Sequence, residues 1–200
     1  MKLNNATLID SLMSDVRRII LQAEKLRQLP HADLLKQPHP SRWSVAQVIE
    51  HLNFYSKFYL KAIDEKLQAA KETTRQEYAP GWFGEYFTKM MRPKDENTVK
   101  NKMKAMKSAL PAVNIDVENA LDTFLEDQHA LIDLLHRSRR FDLGGIRVPT
   151  SLTSLVALKL GDTFRFFIAH EQRHFVQIKN TLGDLGVREM EENVSKFEHG

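Results

Sequence analysis

The run His170-Glu171-Gln172-Arg173-His174 places two imidazoles four residues apart, with a carboxylate between them. On an α-helix that spacing is ~40° of rotation and ~6 Å of rise, so both rings can reach one ion. Alone, the run matches H-E-x-x-H, the zinc-protease pattern in which two histidines bind the metal and the glutamate activates water. Such a protease presents a β-sheet before the helix and a third ligand after it. Little strand pattern precedes this run, and Glu189, Glu191 and Glu192 follow it in a polar tail with no helical stripe to position them. The third ligand must come from another helix.

His51 meets that need. It occupies a position in the stripe Val48, His51, Tyr55, Phe58, Ala62 where the pattern calls for an apolar side chain. It lies about seven residues into its helix, roughly 10 Å, while His170 and His174 lie about 8 to 12 residues from the end of theirs, roughly 12 to 18 Å. If the two helices run antiparallel, the three side chains meet at nearly one level, which is how helix bundles build metal sites from inward side chains. Three neutral imidazoles suit Zn²⁺, Ni²⁺ or Fe²⁺ and leave a position open for water or substrate. Without a metal, the three would be separate histidines satisfied by hydrogen bonds.

Glu171 points close to the middle of its helix's apolar stripe, between Phe167 and Phe175. A buried carboxylate needs a partner. It can orient a ligand, accept a proton from metal-bound water, or pair with a basic residue such as Arg173. His31, His39, His129 and His136 read as surface residues, with His129 a remote candidate for a fourth ligand.

Four main helices must position these groups. The first spans residues 5–29, with Leu8, Leu12, Val16, Ile19, Ala23 and Leu26 on one stripe and Pro30 beyond its end. The second, residues 45–71, starts at a Ser44/Gln47 capping box. The third, residues 116–137, carries Val117, Leu121, Phe124, Leu125, Gln128, Leu131, Ile132 and Leu135 on one side. The fourth spans residues 161–182 and closes at Gly183 as a C-terminal cap. Between the second and third lies a connection of roughly forty residues, too long to be structureless in a compact domain, so a short helix or turn over residues 83–91 is expected to cover something. Residues 141–158 read as an irregular crossover with a short extended piece at 146–148.

Of the 200 residues, 42% are hydrophobic and 28% charged, which suits a single globular domain over residues 1–187 followed by a polar tail at 188–200. The amphipathic start is unlike a secretory signal, and no stretch approaches the ~18 apolar residues of a membrane span, so a cytoplasmic protein with no membrane partner is expected. With no cysteine there is no disulfide, thiol nucleophile or thiolate ligand. The net charge of +3 is mild. Much of the positive excess lies in Lys89, Arg92, Lys94, Lys100, Lys102, Lys104 and Lys107, a solvated loop without a recognition helix, so nucleic-acid binding is not expected.

Two segments resemble the DinB-like, damage-inducible bundle proteins: Pro40-Ser-Arg-Trp43-Ser44-Val-Ala-Gln-Val-Ile-Glu-His51-Leu, and Gly161-Asp-Thr-Phe-Arg-Phe-Phe-Ile-Ala-His170-Glu-Gln-Arg-His174-Phe-Val-Gln-Ile. The resemblance implies an all-α four-helix bundle with a long crossover between helices 2 and 3. It also implies one divalent metal ion, often nickel or zinc, on one histidine of helix 2 and two of helix 4, which match His51, His170 and His174. The better-understood relatives of this kind transfer or rearrange groups with external low-molecular-weight thiols such as bacillithiol or mycothiol, many others having no known activity, and a homodimer is implied by the resemblance alone. In such a protein Arg92 and Lys94 would attract an anionic cosubstrate, and Trp82, Phe83 and Tyr86 would wall the pocket of a small-molecule substrate. The leading expectation is a metal-dependent thiol S-transferase. The alternatives are a metal-dependent hydrolase with Glu171 as general base, and a non-catalytic binding module.

Overall fold

The computed structural model describes residues 2–95, 97–99, 105–112, 114–151 and 153–187. The proposed tail, 188–200, and Lys100, Lys102 and Lys104 of the basic segment lie outside them. The long elements are α1 (Asn5–Leu26), α3 (Val45–Gln68), α5 (Val117–Ser138) and α6 (Leu160–Asp184), joined by the shorter α2 (His31–Leu35) and α4 (Trp82–Met91) and a 3₁₀ turn at Lys107–Ala109.

The helix ends follow from local chemistry. The Asn4 side chain accepts from the Thr7 amide (3.1 Å), and that of Asp116 accepts from the Asn119 amide (3.1 Å). The capping box forms reciprocally, with the Gln47 amide donating to Ser44 Oγ (3.2 Å) and the Ser44 amide to Gln47 Oε1 (3.0 Å). At the end of α6 the cap is Gly186, with φ of 70°, rather than Gly183, which lies within the last helical turn. The Val187 and Gly186 amides donate to the Leu182 and Gly183 carbonyls (both 3.0 Å), a complete Schellman motif.

Going round the bundle the order is α1, α5, α3, α6, so α5 and α6 face each other across a diagonal. Cross-helix pairs fix the directions. Asn53 reaches the Ala120 carbonyl (2.9 Å) and Arg137 reaches Asp64 (2.7 Å), so α3 and α5 are parallel. Tyr59 packs on Phe167 (5.2 Å between ring centres) and His51 on His174 (4.7 Å), so α3 and α6 are antiparallel. Arg27 pairs with Asp122 (2.9 Å) and Arg139 with Asp10, so α1 and α5 are antiparallel. The chain therefore runs up, down, down, up. The second step forces the connection between α3 and α5 to return along the whole bundle.

Two antiparallel ribbons accompany the helices: β1 (Leu3–Asn4) with β2 (Glu77–Tyr78), and β3 (Arg147–Thr150) with β4 (Thr153–Lys159). The second replaces most of the irregular crossover expected at 141–158. Val148 faces Leu158, and the register shifts between Pro149 and Thr150. A proline in β3 and the lack of alternation in β4 hide this hairpin from periodicity. A small sheet thus does precede the His170–His174 helix, contrary to the expectation used against the protease pattern.

The short helix expected at 83–91 is α4, and it lies on α6. Its anchor is Asp162, in the first turn of α6 and fully buried, which accepts from the Tyr78 hydroxyl and from the Gly81 amide (2.9 Å). Beside it, Arg165 pairs with Glu85 (2.7 Å). Glycine is required at 84, because a Cβ there would lie 2.1 Å from Asp162 Cγ.

Candidate metal centre

His51 projects from the second turn of α3, and His170 and His174 from successive turns of the middle of α6. Because the helices are antiparallel, the three rings meet at one level. Their ring centres are 4.5 Å (His170–His174), 4.7 Å (His51–His174) and 5.5 Å (His51–His170) apart. One nitrogen from each lies within 4.8 Å of the other two. All three are buried, at 3%, 7% and 9% exposure in sequence order.

Hydrogen bonds orient the rings. His51 Nδ1 donates to the Ala109 carbonyl (2.9 Å), and His174 Nδ1 to Gln177 Oε1 (3.0 Å). Both partners are acceptors, so the proton sits on Nδ1 and the Nε2 lone pair is left for a ligand. His174 Nε2 faces His170 Nε2 at 3.1 Å. Two nitrogens on one tetrahedral ion at ~2.1 Å would be about 3.4 Å apart, so this pair already has nearly the spacing a metal needs.

Burial disfavours the charged imidazolium in every ring. It pulls His51 down, and it pulls His174 down to about 3, with the neighbouring His51 and Arg173 adding to the effect. His170 falls well below its ordinary value through burial, His174, His51 and Arg173. The rings are therefore neutral near pH 7, the form that ligates a metal.

Aromatic rings wall the cluster. Trp43 lies 4.8 Å from His51, Tyr55 lies 5.0 Å from His51 and 4.8 Å from His170, and Phe166 stacks on His170 at 6.4 Å. None of the three was assigned to the site from sequence. Tyr55 follows His51 by one helical turn, and Gln177 follows His174 by three residues, so helical spacing alone could have nominated both. Trp43 and the Ala109 carbonyl come from non-helical chain, and no local pattern announces them.

Glu171 is fully buried, but its Oε1 accepts from Gln128 Nε2 of α5 (2.7 Å), across the bundle diagonal. It does not join the cluster of close ligand atoms. Burial pushes its carboxyl up to about 8 despite the Gln128 hydrogen bond, with Asp127 adding to the rise. Trp82, Phe83 and Tyr86 are 76%, 60% and 54% exposed on the outer face of α4 and pack on one another. Among the described residues, none makes a ring contact with the three imidazoles. Arg92 and Lys94 are exposed in the loop beyond α4, and His129 is exposed on α5.

A family model described as the DinB superfamily matches residues 13–178. Among solved structures, YfiT from Bacillus subtilis is similar in fold, with a TM-score of 0.57 and 14% sequence identity over 90% of this chain and 89% of that one. It is described as a probable metal-dependent hydrolase with an unusual four-helix bundle topology. No curated protein matches the chain significantly.

Proposed function

This chain belongs to the DinB superfamily, and we propose that it is a divalent-metal-dependent enzyme acting on a small molecule, with His51, His170 and His174 as the metal ligands. The observation that carries the reading is the meeting of three buried imidazoles from two helices, with one nitrogen of each within 4.8 Å of the others. The donor set fits nickel, zinc or iron and leaves coordination positions open. A divalent ion held there supplies Lewis acidity and makes a coordinated nucleophile available near neutral pH.

The chain's own residues do the positioning. Ala109 and Gln177 fix the tautomers of His51 and His174. Trp43, Tyr55 and Phe166 limit the space beside the rings and keep bulk water from them. Among the described residues no carboxylate joins the cluster as a general base. That favours a nucleophile that loses its proton readily, such as an external low-molecular-weight thiol, over water. A free thiol ionises near 8.5, far below water, and the chain has no cysteine of its own. Thiol S-transfer is accordingly the leading reaction. Hydrolysis is the second reading, supported by the likeness of fold to YfiT.

Elemental analysis of protein purified without added metal should find about one divalent ion per chain, and none in His51→Ala. The metal-loaded protein is then screened with several thiols and model electrophiles, and turnover no higher than the His51→Ala control overturns the enzymatic reading. If hydrolysis is found instead, Glu171→Gln should abolish it at nearly unchanged metal affinity should Glu171 act as base. Equal activity removes that role.

A further inference from the structure

The stripe that turns His51 inward on α3 turns Tyr55 inward one helical turn later. Tyr55 is 8% exposed, and its ring packs edge-on against two of the three imidazoles, with its centre 5.0 Å from that of His51 and 4.8 Å from that of His170. Those two imidazoles are themselves 5.5 Å apart on different helices, so the phenol spans α3 and α6 at the level of the cluster. Its hydroxyl, one bond beyond the ring, is within reach of a small molecule bound among the histidines.

A phenol buried in a protein ordinarily finds a partner for its O–H. The other two buried tyrosines obey this: the Tyr59 hydroxyl pairs with Ser151 through its Oγ (3.2 Å) and its amide (3.3 Å), and the Tyr78 hydroxyl donates to Asp162. Among the described residues the Tyr55 hydroxyl has no such partner, and it is open to solvent rather than sealed in the core. The neighbouring rings do not supply one, since Nδ1 of His51 and of His174 is already committed to Ala109 and to Gln177. Packing alone would be served by phenylalanine, as it is at Phe166 against the same His170 ring.

The geometry points to Tyr55 as a substrate-binding residue whose hydroxyl donates a hydrogen bond to an oxygen of the molecule that enters the open coordination position. The inference rests on the metal reading above and adds to it the class of ligand: a small molecule with a carboxylate or carbonyl oxygen, an acceptor that suits both a Lewis acid and an O–H donor. Near pH 7 a phenol keeps its proton and so can donate it to such a bond. The two aromatic neighbours Trp43 and Phe166 keep that ligand small.

The test uses the full chain loaded with Co²⁺, whose visible absorption reports changes in coordination. Acetate is the probe. Imidazole is the control, because once coordinated its other ring nitrogen bears hydrogen and offers the phenol no acceptor. Tyr55→Phe should weaken acetate binding by about tenfold, the loss of one hydrogen bond to a charged group, and leave imidazole binding within about twofold. Tyr59→Phe, which removes a hydroxyl already taken by Ser151, should alter neither affinity. Because the Tyr55 hydroxyl has no partner to lose, Tyr55→Phe should also take up Co²⁺ as tightly as the parent and unfold at no lower temperature. A drop in thermal stability or in Co²⁺ affinity would mean that the hydroxyl is used within the protein, and overturns the inference. Unchanged acetate affinity in Tyr55→Phe, an equal loss for acetate and imidazole, or no acetate binding by the parent overturns it as well. Failure of the parent to take up Co²⁺ at all overturns the metal reading and this inference with it, whereas the other outcomes leave the metal reading standing.

Discussion

His51 and His174 are buried among apolar side chains, and in each a hydrogen bond on Nδ1 leaves Nε2 as the nitrogen a ligand can use. Gln177 makes that bond for His174. Gln177→Leu should leave the fold intact but lower metal affinity by roughly 10–100-fold, since the ring loses its preferred tautomer and orientation; titration against a competing chelator measures it. Asp127, beside Gln128 on α5, offers a separate residue-level test. Burial and the neighbouring Glu126 push its carboxyl up from 3.8 to about 6. Between those values the native state keeps a proton that the unfolded chain has released, so this group's contribution to stability falls as pH rises from 3.8 to 6 and is flat above. Asp127→Asn should gain stability relative to the parent at pH 7 and gain little at pH 4, as read by urea denaturation at the two values. A gain independent of pH would remove the electrostatic explanation.

The four long helices were readable because each carries a stripe repeating every three or four residues, and the capping box at Ser44 marked the start of α3 to the residue. The elements that escaped are those too short or too irregular for periodicity to show. Five-residue α2 completes little more than one turn, β1 and β2 are two residues each, and β3 contains Pro149. The cap of α6 was expected at Gly183, and only backbone conformation moves it to Gly186. The three histidines were legible because helical spacing and level constrain them. The partners of Glu171 and the exposure of Trp82, Phe83 and Tyr86 were not, because they depend on which face of each helix meets a neighbour. How α4 docks is likewise a tertiary matter, and Gly84 is its tightest point. Asp162, already held by Tyr78 and Gly81, cannot swing away from an added methyl group. Gly84→Ala should cost about 1–3 kcal/mol and speed hydrogen exchange in Trp82–Met91 more than in α1 or α5. Unchanged exchange in α4 would mean that the contact does not hold it down.

Across the whole molecule, the three imidazoles join α3 to α6, neighbours whose contact is made by segments more than a hundred residues apart in sequence. Any ion bound by the native state and not by the unfolded chain must stabilise it, by about 2.7 kcal/mol at a free concentration a hundredfold above Kd. Thermal unfolding should shift upward with nickel or zinc, return with chelator, and show neither change in His51→Ala. The parallel course of α3 and α5 obliges the chain between them to travel back along the bundle, and on that journey it lays down β2, α4 and the turn that ends at Ala109. The carbonyl that holds His51 belongs to the main chain, so almost any side chain at 109 that fits the space would leave the bond intact. Tolerance at that position is therefore tolerance of spelling and not of path. A residue inserted within the turn Lys107–Ala109 would move that carbonyl and detune the centre more than a point substitution in the same turn.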